Sequence, residues 1–581
     1  MRRRPLLPFL LALCAVLLWN CSPGQLLNRA PQVDSVETAR QALEQSVLPR
    51  IQVVDDLVSD DLASRYTTDQ IEDPLPQAED FPLHGAQPGG GNTVYVEIYS
   101  SSEKANVDRQ NERWLVEVAE AFNQRQETLP SGEVVQVGVR QVASGTAARM
   151  LGAGAVKPTG YSPSNDLWVA MVQSQGVETV PVAARLVPNT AGWVLPKTVY
   201  DSLAENGAVS FDRLLNAIVS GEVTVAYPNP YSSSTALNLL YTLYWRAAGH
   251  QQTGGQLTEA ELQTPQVNSV FDQFQQQVLI TTPTTLDLQE LFLRDQSNLQ
   301  AFPLEYQNYL ALRQVPEFSE TEFVPFGVPH NNPLVGFSWN TPEQQAGLER
   351  FAKFAQSADM QALAKQQGFV ETDYLKAAQV PPFPSGEVLL AAQANWKLRK
   401  DGGRAVYMAL VIDTSGSMEG ERIQALQDGL RVAAGQINSG NYVSIVTFAD
   451  QPTRRLALAP FDQLQHQKFL ATVDQLRADG ATAMYDGVMV GLADLLAKKE
   501  ADPTGRFYLL LLSDGEVNRG FTFDAVQDIL AYSDVRFYPI AYGEVDQAEL
   551  QAIASLREST VQQGSPDNVQ TLFKDLFQVN L

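Results

Sequence analysis

Asp413, Ser415 and Ser417 alternate with small spacers in "VIDTSGSMEGE" (Val411–Glu421), directly behind an apolar run. Oxygen side chains spaced this way in a strand-to-helix turn can aim at one point. Two further segments carry matching chemistry: "LRADGATAMYDG" presents Thr482, and "FYLLLLSDGEVN" ends its apolar run in Asp514. The set holds two carboxylates and three hydroxyls, with no sulfur or imidazole. Hard oxygen donors suit Mg²⁺, Mn²⁺ or Ca²⁺ rather than zinc or copper. The hydroxyls add no charge, so such an ion keeps an open position and attracts a carboxylate from a partner. Taken singly, each loop has an ordinary structural use. Ser417 could cap a helix, Ser415 could form a turn, and Asp514–Gly515 is a common turn pair. The reading rests on their conjunction, each behind a strand signal.

These donors need elements to position them. "AVYMALVI" (Ala405–Ile412) is continuously apolar, as in a strand buried on both faces. Ile423, Leu426, Leu430, Ala433 and Ile437 follow at 3-4-3-4 spacing, one face of a helix. A second helix is expected around Val488–Leu496. The pattern predicts a doubly wound, mostly parallel α/β sheet over 405–581, with the donors at the carboxyl ends of its strands, where such sheets place ligands. Pro539, in the expected last parallel strand "VRFYPIAYG", predicts an edge position or a bulge.

"DTSGSM", "GATAMYDG" and "LLLLSDGEVN" closely resemble the three motifs of the von Willebrand factor type A domain. The resemblance implies a metal-ion-dependent adhesion site formed by Asp413, Ser415, Ser417, Thr482 and Asp514. It also implies that Ser415 and Ser417 bind the ion directly, with Thr482 and the aspartates acting directly or through water.

From Thr93 strand and helix signals alternate to about Phe369, as in "TVYVEIY", "RWLVEVAEAFNQ" and "EVVQVGVRQV". "VYVEIYSSSEK", "VASGTAARML", "YPNPYSSSTALNLLYTLYW", "FPLEYQNYL" and "LAKQQGFVET" resemble segments of periplasmic-type extracellular solute-binding proteins. That resemblance implies two lobes, one from 93–190 and 300–370 and the other from the middle. It implies a cleft in which Ser101, Ser102, Ser144, Ser233 and Tyr306 meet a small solute, although serines at helix starts commonly serve as caps.

The domain organisation then reads as an export signal over 1–21, an acidic Pro/Gly-punctuated tether over 22–92 with a short helix near Val36–Leu48, a solute-binding-like α/β domain over 93–375, a linker over 376–404, and the C-terminal domain. The basic start and short apolar run of "MRRRPLLPFLLALCAVLLWNCSPGQ" direct the chain out of the cytoplasm. Leu18 three residues before Cys21 resembles a bacterial lipoprotein cleavage box. It implies a lipid on Cys21 and attachment to the cell envelope; a signal sequence whose cysteine is incidental, or an uncleaved signal anchor, is the alternative. Formal net charge is −25, which repels nucleic acid. The four histidines, His84, His250, His330 and His466, are scattered, and no paired base, nucleophile triad or phosphate loop is present. The expectation is a non-enzymatic binding protein that grips an acidic residue of a protein partner through a divalent cation. The alternative is the substrate-binding component of a transport system, with the C-terminal domain as its docking module.

Overall fold

Residues 406–413 are all buried, and their side chains enter two different cores in alternation. Val406, Met408, Leu410 and Ile412 face one, and Tyr407, Ala409 and Val411 the other. A strand covered on both faces has no need of a polar side, which accounts for its continuous apolar run. This is the centre of the fold in the computed structural model, which describes residues 33–68, 75–282, 285–294, 298–373, 380–514, 517–543, 547–556, 559 and 561–581. The export signal and Cys21 lie outside the described residues.

The C-terminal sheet runs β1 (Val54–Asp55), β15 (Pro452–Pro460), β14 (Tyr442–Phe448), β13 (Val406–Asp413), β16 (Arg506–Ser513), β17 (Arg536–Tyr542) and β18 (Gln562–Gly564). Only the β14–β15 pair is antiparallel. Helices Glu421–Ala434 and Val569–Asn580 cover the first face, and Met484–Ala501 packs across the second. The first helix buries Ile423, Leu426, Leu430 and Ala433 as its spacing predicts but stops at Ala434, so Ile437 packs from the following turn. Met484–Ala501 lies close because Gly491 faces the sheet: a Cβ there would come within 2.7 Å of Val411. Pro539 sits in β17, which is not the edge strand. It pairs with Leu511 of β16, and the β18 ladder begins only at Ile540, so the missing N–H disrupts no pairing on the outer side.

The largest departure from the sequence reading is in the segment expected to be a tether. Residues 36–66 form a helix at Val36–Ala42, wider and tighter turns over 43–50, the strand β1 and a short helix at Asp60–Ala63. Leu43, Val47 and Ile51 enter the core of the C-terminal domain, nearly four hundred residues away in sequence, and β1 extends its sheet. Asp55, Asp56 and Asp60 pair with Arg454, Arg455 and Lys468. The acidic composition that suggested a solvated linker complements a basic sheet edge.

Lobe one holds β2 (Leu83–Gly85), β3 (Thr93–Ser100), β4 (Val134–Gln141), β5 (Gly160–Ser162), β6 (Thr179–Ala183) and β12 (Leu334–Phe337) in one sheet of order β2-β4-β3-β5-β12-β6. Lobe two holds β7 (Ala191–Pro196), β10 (Phe302–Glu305) and β11 (Thr321–Pro325) in one sheet, and β8 (Val225–Pro228) with β9 (Val278–Thr282) in another. The lobe division expected near residue 300 is therefore displaced. β10 and β11 pair with β7, and the chain returns to lobe one only beyond His330. An antiparallel bridge between Asn189 and His330 ties the two crossings together.

The expected linker also contains a structural element. Helix Gly386–Arg399 buries Val388, Leu389, Ala392, Gln393, Asn395 and Trp396. It touches lobe one, where Gly386 allows an approach that would put a Cβ 2.2 Å from Ala170 O. It also touches lobe two, where Trp396 Nε1 donates to Tyr227 Oη at 2.6 Å and Gln393 Nε2 to Pro230 O at 2.8 Å. Lys397 Nζ donates to Gln578 O of the C-terminal domain at 2.8 Å. Charge and apolar groups are thus spent on all sides of one helix, which leaves it no amphipathic stripe.

Candidate metal centre and solute cleft

β13 ends on Asp413, and the chain then turns so that Ser415 folds back on it. Ser415 N and Oγ donate to Asp413 Oδ1 at 2.8 and 2.5 Å, and Ser415 Oγ lies 3.0 Å from Ser417 Oγ. The turn over Gly416–Met418 is pinned by the fully buried Met418 and leaves Ser417 exposed. Three donors of the first loop are thus contiguous, with an outward opening at Ser417.

The second and third loops join it through main-chain contacts. Gly416 N donates to Gly480 O at 3.0 Å, and Asp479 N to Thr414 O at 2.9 Å. Thr482, buried at the start of the Met484–Ala501 helix, donates its N–H to Asn518 Oδ1 at 2.8 Å, and Asn518 N returns to Thr482 O. Asp514 follows β16. Its neighbour Ser513 donates Oγ–H to Asp413 Oδ2 at 2.8 Å, fixing the second carboxylate oxygen of the first loop. The sequence reading missed Ser513 and Asn518. Ser513 left a signal, a hydroxyl closing a run of buried leucines; Asn518 left none.

The electrostatics are those of a site short of positive charge. Burial pushes the Asp413 carboxyl up to about 6; its hydrogen bonds from Ser415 and Ser513 oppose this, and Asp514 adds repulsion. Asp514 is buried, and its Oδ1 has no hydrogen-bond partner. A buried carboxylate oxygen without a partner is costly. Among the described residues no group of three or more His, Cys, Asp or Glu side chains could hold a metal ion. The donor set here is instead mainly hydroxyl, and it fits a hard divalent cation with few protein charges.

Between the lobes lies a cleft of about 260 Å³. Ser102, Ser144 and Ser233 line it, together with Arg109, Glu112 and Asn308. Ser233 Oγ accepts from Ala236 N as a helix cap, and Ser144 Oγ accepts from Ser164 N. The other two candidates do not line the cleft. Ser101 is buried beneath it, accepting from Lys104 Nζ at 2.6 Å. Tyr306 packs on Phe323, ring centres 5.1 Å apart, within lobe two. Burial lowers the Lys104 amine and raises the neighbouring Glu103 carboxyl, with Glu305 adding to the latter. The cleft walls therefore mix one guanidinium with two carboxyls, Glu103 and Glu112.

Comparison with known proteins agrees with this division. A family model described as von Willebrand factor type A domain matches residues 408–575, and one described as bacterial extracellular solute-binding protein matches 109–370. Inter-alpha-trypsin inhibitor heavy chain H4 of Sus scrofa is 31% identical over 116 residues, 19% of this chain and 12% of the relative. An uncharacterised protein of Synechocystis sp. is 23% identical over 176 residues, 29% of this chain and 40% of that one. The chain therefore spans well under half the length of either relative. Among solved structures, a von Willebrand factor type A protein from Catenulispora acidiphila is 20% identical, covering 30% of this chain and 42% of its own, with TM-score 0.28. Iron-bound HitA from Pseudomonas aeruginosa is 12% identical, covering 53% and 99%, with TM-score 0.37. By the family models, the chain carries a bacterial extracellular solute-binding domain over 109–370 followed by a von Willebrand factor type A domain over 408–575.

Proposed function

We propose that this chain is an exported, non-enzymatic binding protein whose C-terminal domain engages a protein partner through a divalent cation, Mg²⁺ in the first instance. The observation that carries the reading is the partnerless Asp514 Oδ1, buried close enough to Asp413 to raise its carboxyl, in a centre otherwise made of hydroxyls. Asp413, Ser415, Ser417, Thr482 and Asp514 would hold the ion. When bound, it supplies positive charge that an acidic side chain of the partner completes. The chain's own residues do the positioning. Asp413 orients Ser415, Ser513 orients Asp413, and exposed Ser417 marks the open side. A lipid on Cys21 would hold the assembly at the envelope, and no helix among the described residues is long and apolar enough to cross a membrane.

A partner retained from envelope extract on the full chain should be released by EDTA and not captured by Asp413→Ala protein of native helix content. Retention in both cases would refute the reading. A second reading, as the receptor of a transport system, is favoured by the polar cleft lined from both lobes. A thermal-shift screen of small solutes tests it: a specific ligand that stabilises the chain supports transport, and stabilisation by none contradicts it.

A further inference from the structure

A cavity of about 360 Å³ opens where lobe two meets the C-terminal sheet. It lies at the edge opposite the metal centre. Arg506 and Arg536 begin β16 and β17, and Arg404 lies just before β13, whereas Asp413 and Asp514 stand at the far ends of β13 and β16. Eight residues of β16 separate the two sites by about 25 Å, at about 3.3 Å per residue. The lining includes Arg404, Lys499, Arg506 and Arg536 against one carboxylate, Asp534. In a chain of formal net charge −25, this is a local reversal of sign.

Lys499 is paired with a carboxylate, whereas Arg404 and Arg506 are held by main-chain groups. Lys499 Nζ meets Asp534 at 2.7 Å. Arg404 donates to Asp401 O and Gln275 O at 3.2 and 3.1 Å, and Arg506 to Gln275 O and Val278 O at 3.0 Å each. These are main-chain carbonyls, which orient a guanidinium without neutralising it. Among the described residues neither arginine has a carboxylate in an ion pair, and Arg506 Nε is buried without a partner. Neighbouring groups register the excess. Burial opposes ionisation of the Tyr508 phenol, yet Arg506 and Arg536 hold it below the ordinary phenol value. Burial, with repulsion from Arg506, brings Arg404 down to about 10.

We propose that this junction binds a small phosphate-bearing polyanion, a diphosphate or phosphate ester, between Arg404, Arg506 and Arg536. Planar guanidinium groups in a partly desolvated pocket match phosphate oxygens in geometry and charge. The net negative charge of the chain disfavours an extended nucleic acid, while this local cluster of cations attracts a small anion. Because Gln276, Val278 and Leu279 of lobe two share the lining with Arg404 and Arg506, the bound anion bridges the two domains and stiffens their junction. This inference is independent of the metal centre.

The test is calorimetric titration of pyrophosphate into the full chain at constant ionic strength, in EDTA so that no divalent ion intervenes. Acetate and anionic phosphatidylglycerol vesicles serve as comparators. The expected result is saturable binding of one pyrophosphate per chain, with no saturable response to acetate. Arg404→Gln and Arg536→Gln should each weaken it about tenfold or more, the loss of a charge-assisted pair. Arg519→Gln, outside the cavity, should remain within about threefold of the parent. Helix content and melting temperature identify variants that fold. Absence of saturation, unchanged affinity in folded Arg404→Gln and Arg536→Gln, or a response to vesicles alone would overturn the proposal.

Discussion

Asp413→Asn should stabilise the metal-free protein at neutral pH, although it removes a residue from the centre. Burial raises the folded-state carboxyl from 3.8 to about 6, and that gap is worth about 3 kcal/mol. The sign follows from linkage. Between these two values the folded state binds more protons than the unfolded chain, so stability falls as pH rises through the window and is level above it. Asparagine keeps an acceptor for Ser415 N and Oγ and turns its amide toward Ser513 Oγ, which can accept. The loss of charge assistance costs about 1 kcal/mol. The net gain in EDTA is therefore about 2 kcal/mol at pH 7.5, shrinking to nothing or reversing near pH 4. None of the seven tryptophans lies in 405–581, so fluorescence does not report this domain. Hydrogen-exchange mass spectrometry on peptides of β13 does. Protection of β13 that is lower in Asp413→Asn than in the parent at pH 7.5 in EDTA, with the same deficit at pH 5, would show that the buried charge does not destabilise the metal-free fold.

Other consequences concern the frame around the centre. Leu410→Ala, at a position with no exposure between β13 and its helices, should cost about 2–5 kcal/mol, read as lost exchange protection across the C-terminal sheet. Gly386→Ala places a methyl 2.2 Å from Ala170 O, a main-chain atom that cannot swing away, and should cost about 1–3 kcal/mol, seen as a lower melting temperature and faster proteolysis of 386–399. Removing residues 1–68 uncovers the seat of Leu43 and Val47, so the truncated chain should melt lower and bind an apolar dye; an unchanged melting curve would show that the segment is dispensable.

The parts of the fold legible in the sequence are those whose physics is local. β13 announced itself because both faces are buried, and the three loops because their donors stand immediately behind such strands. What escaped is what only distant contacts decide. β10 and β11 have the same local pattern as lobe-one strands, and only their pairing with β7 assigns them to lobe two. Residues 36–66 bury few apolar groups per turn and take their order from a sheet edge far along the chain. Helix Gly386–Arg399, buried on several sides, has no apolar stripe to reveal it beside a Pro-rich stretch. Within the cleft, serine type and helix-start position could not separate Ser101, which holds Lys104 below the surface, from Ser102, which lines the opening.

Five oxygen side chains on three loops are expected to hold one divalent cation. Calorimetric titration of Mg²⁺, and separately Mn²⁺, into the EDTA-stripped and dialysed full chain tests it most directly, with Asp514→Asn protein alongside. One saturable cation per chain is expected in the parent and none in the folded variant, whose substitution removes the charge of the carboxylate that carries the partnerless Oδ1. No saturable binding in the parent, or equal binding in Asp514→Asn, would contradict it.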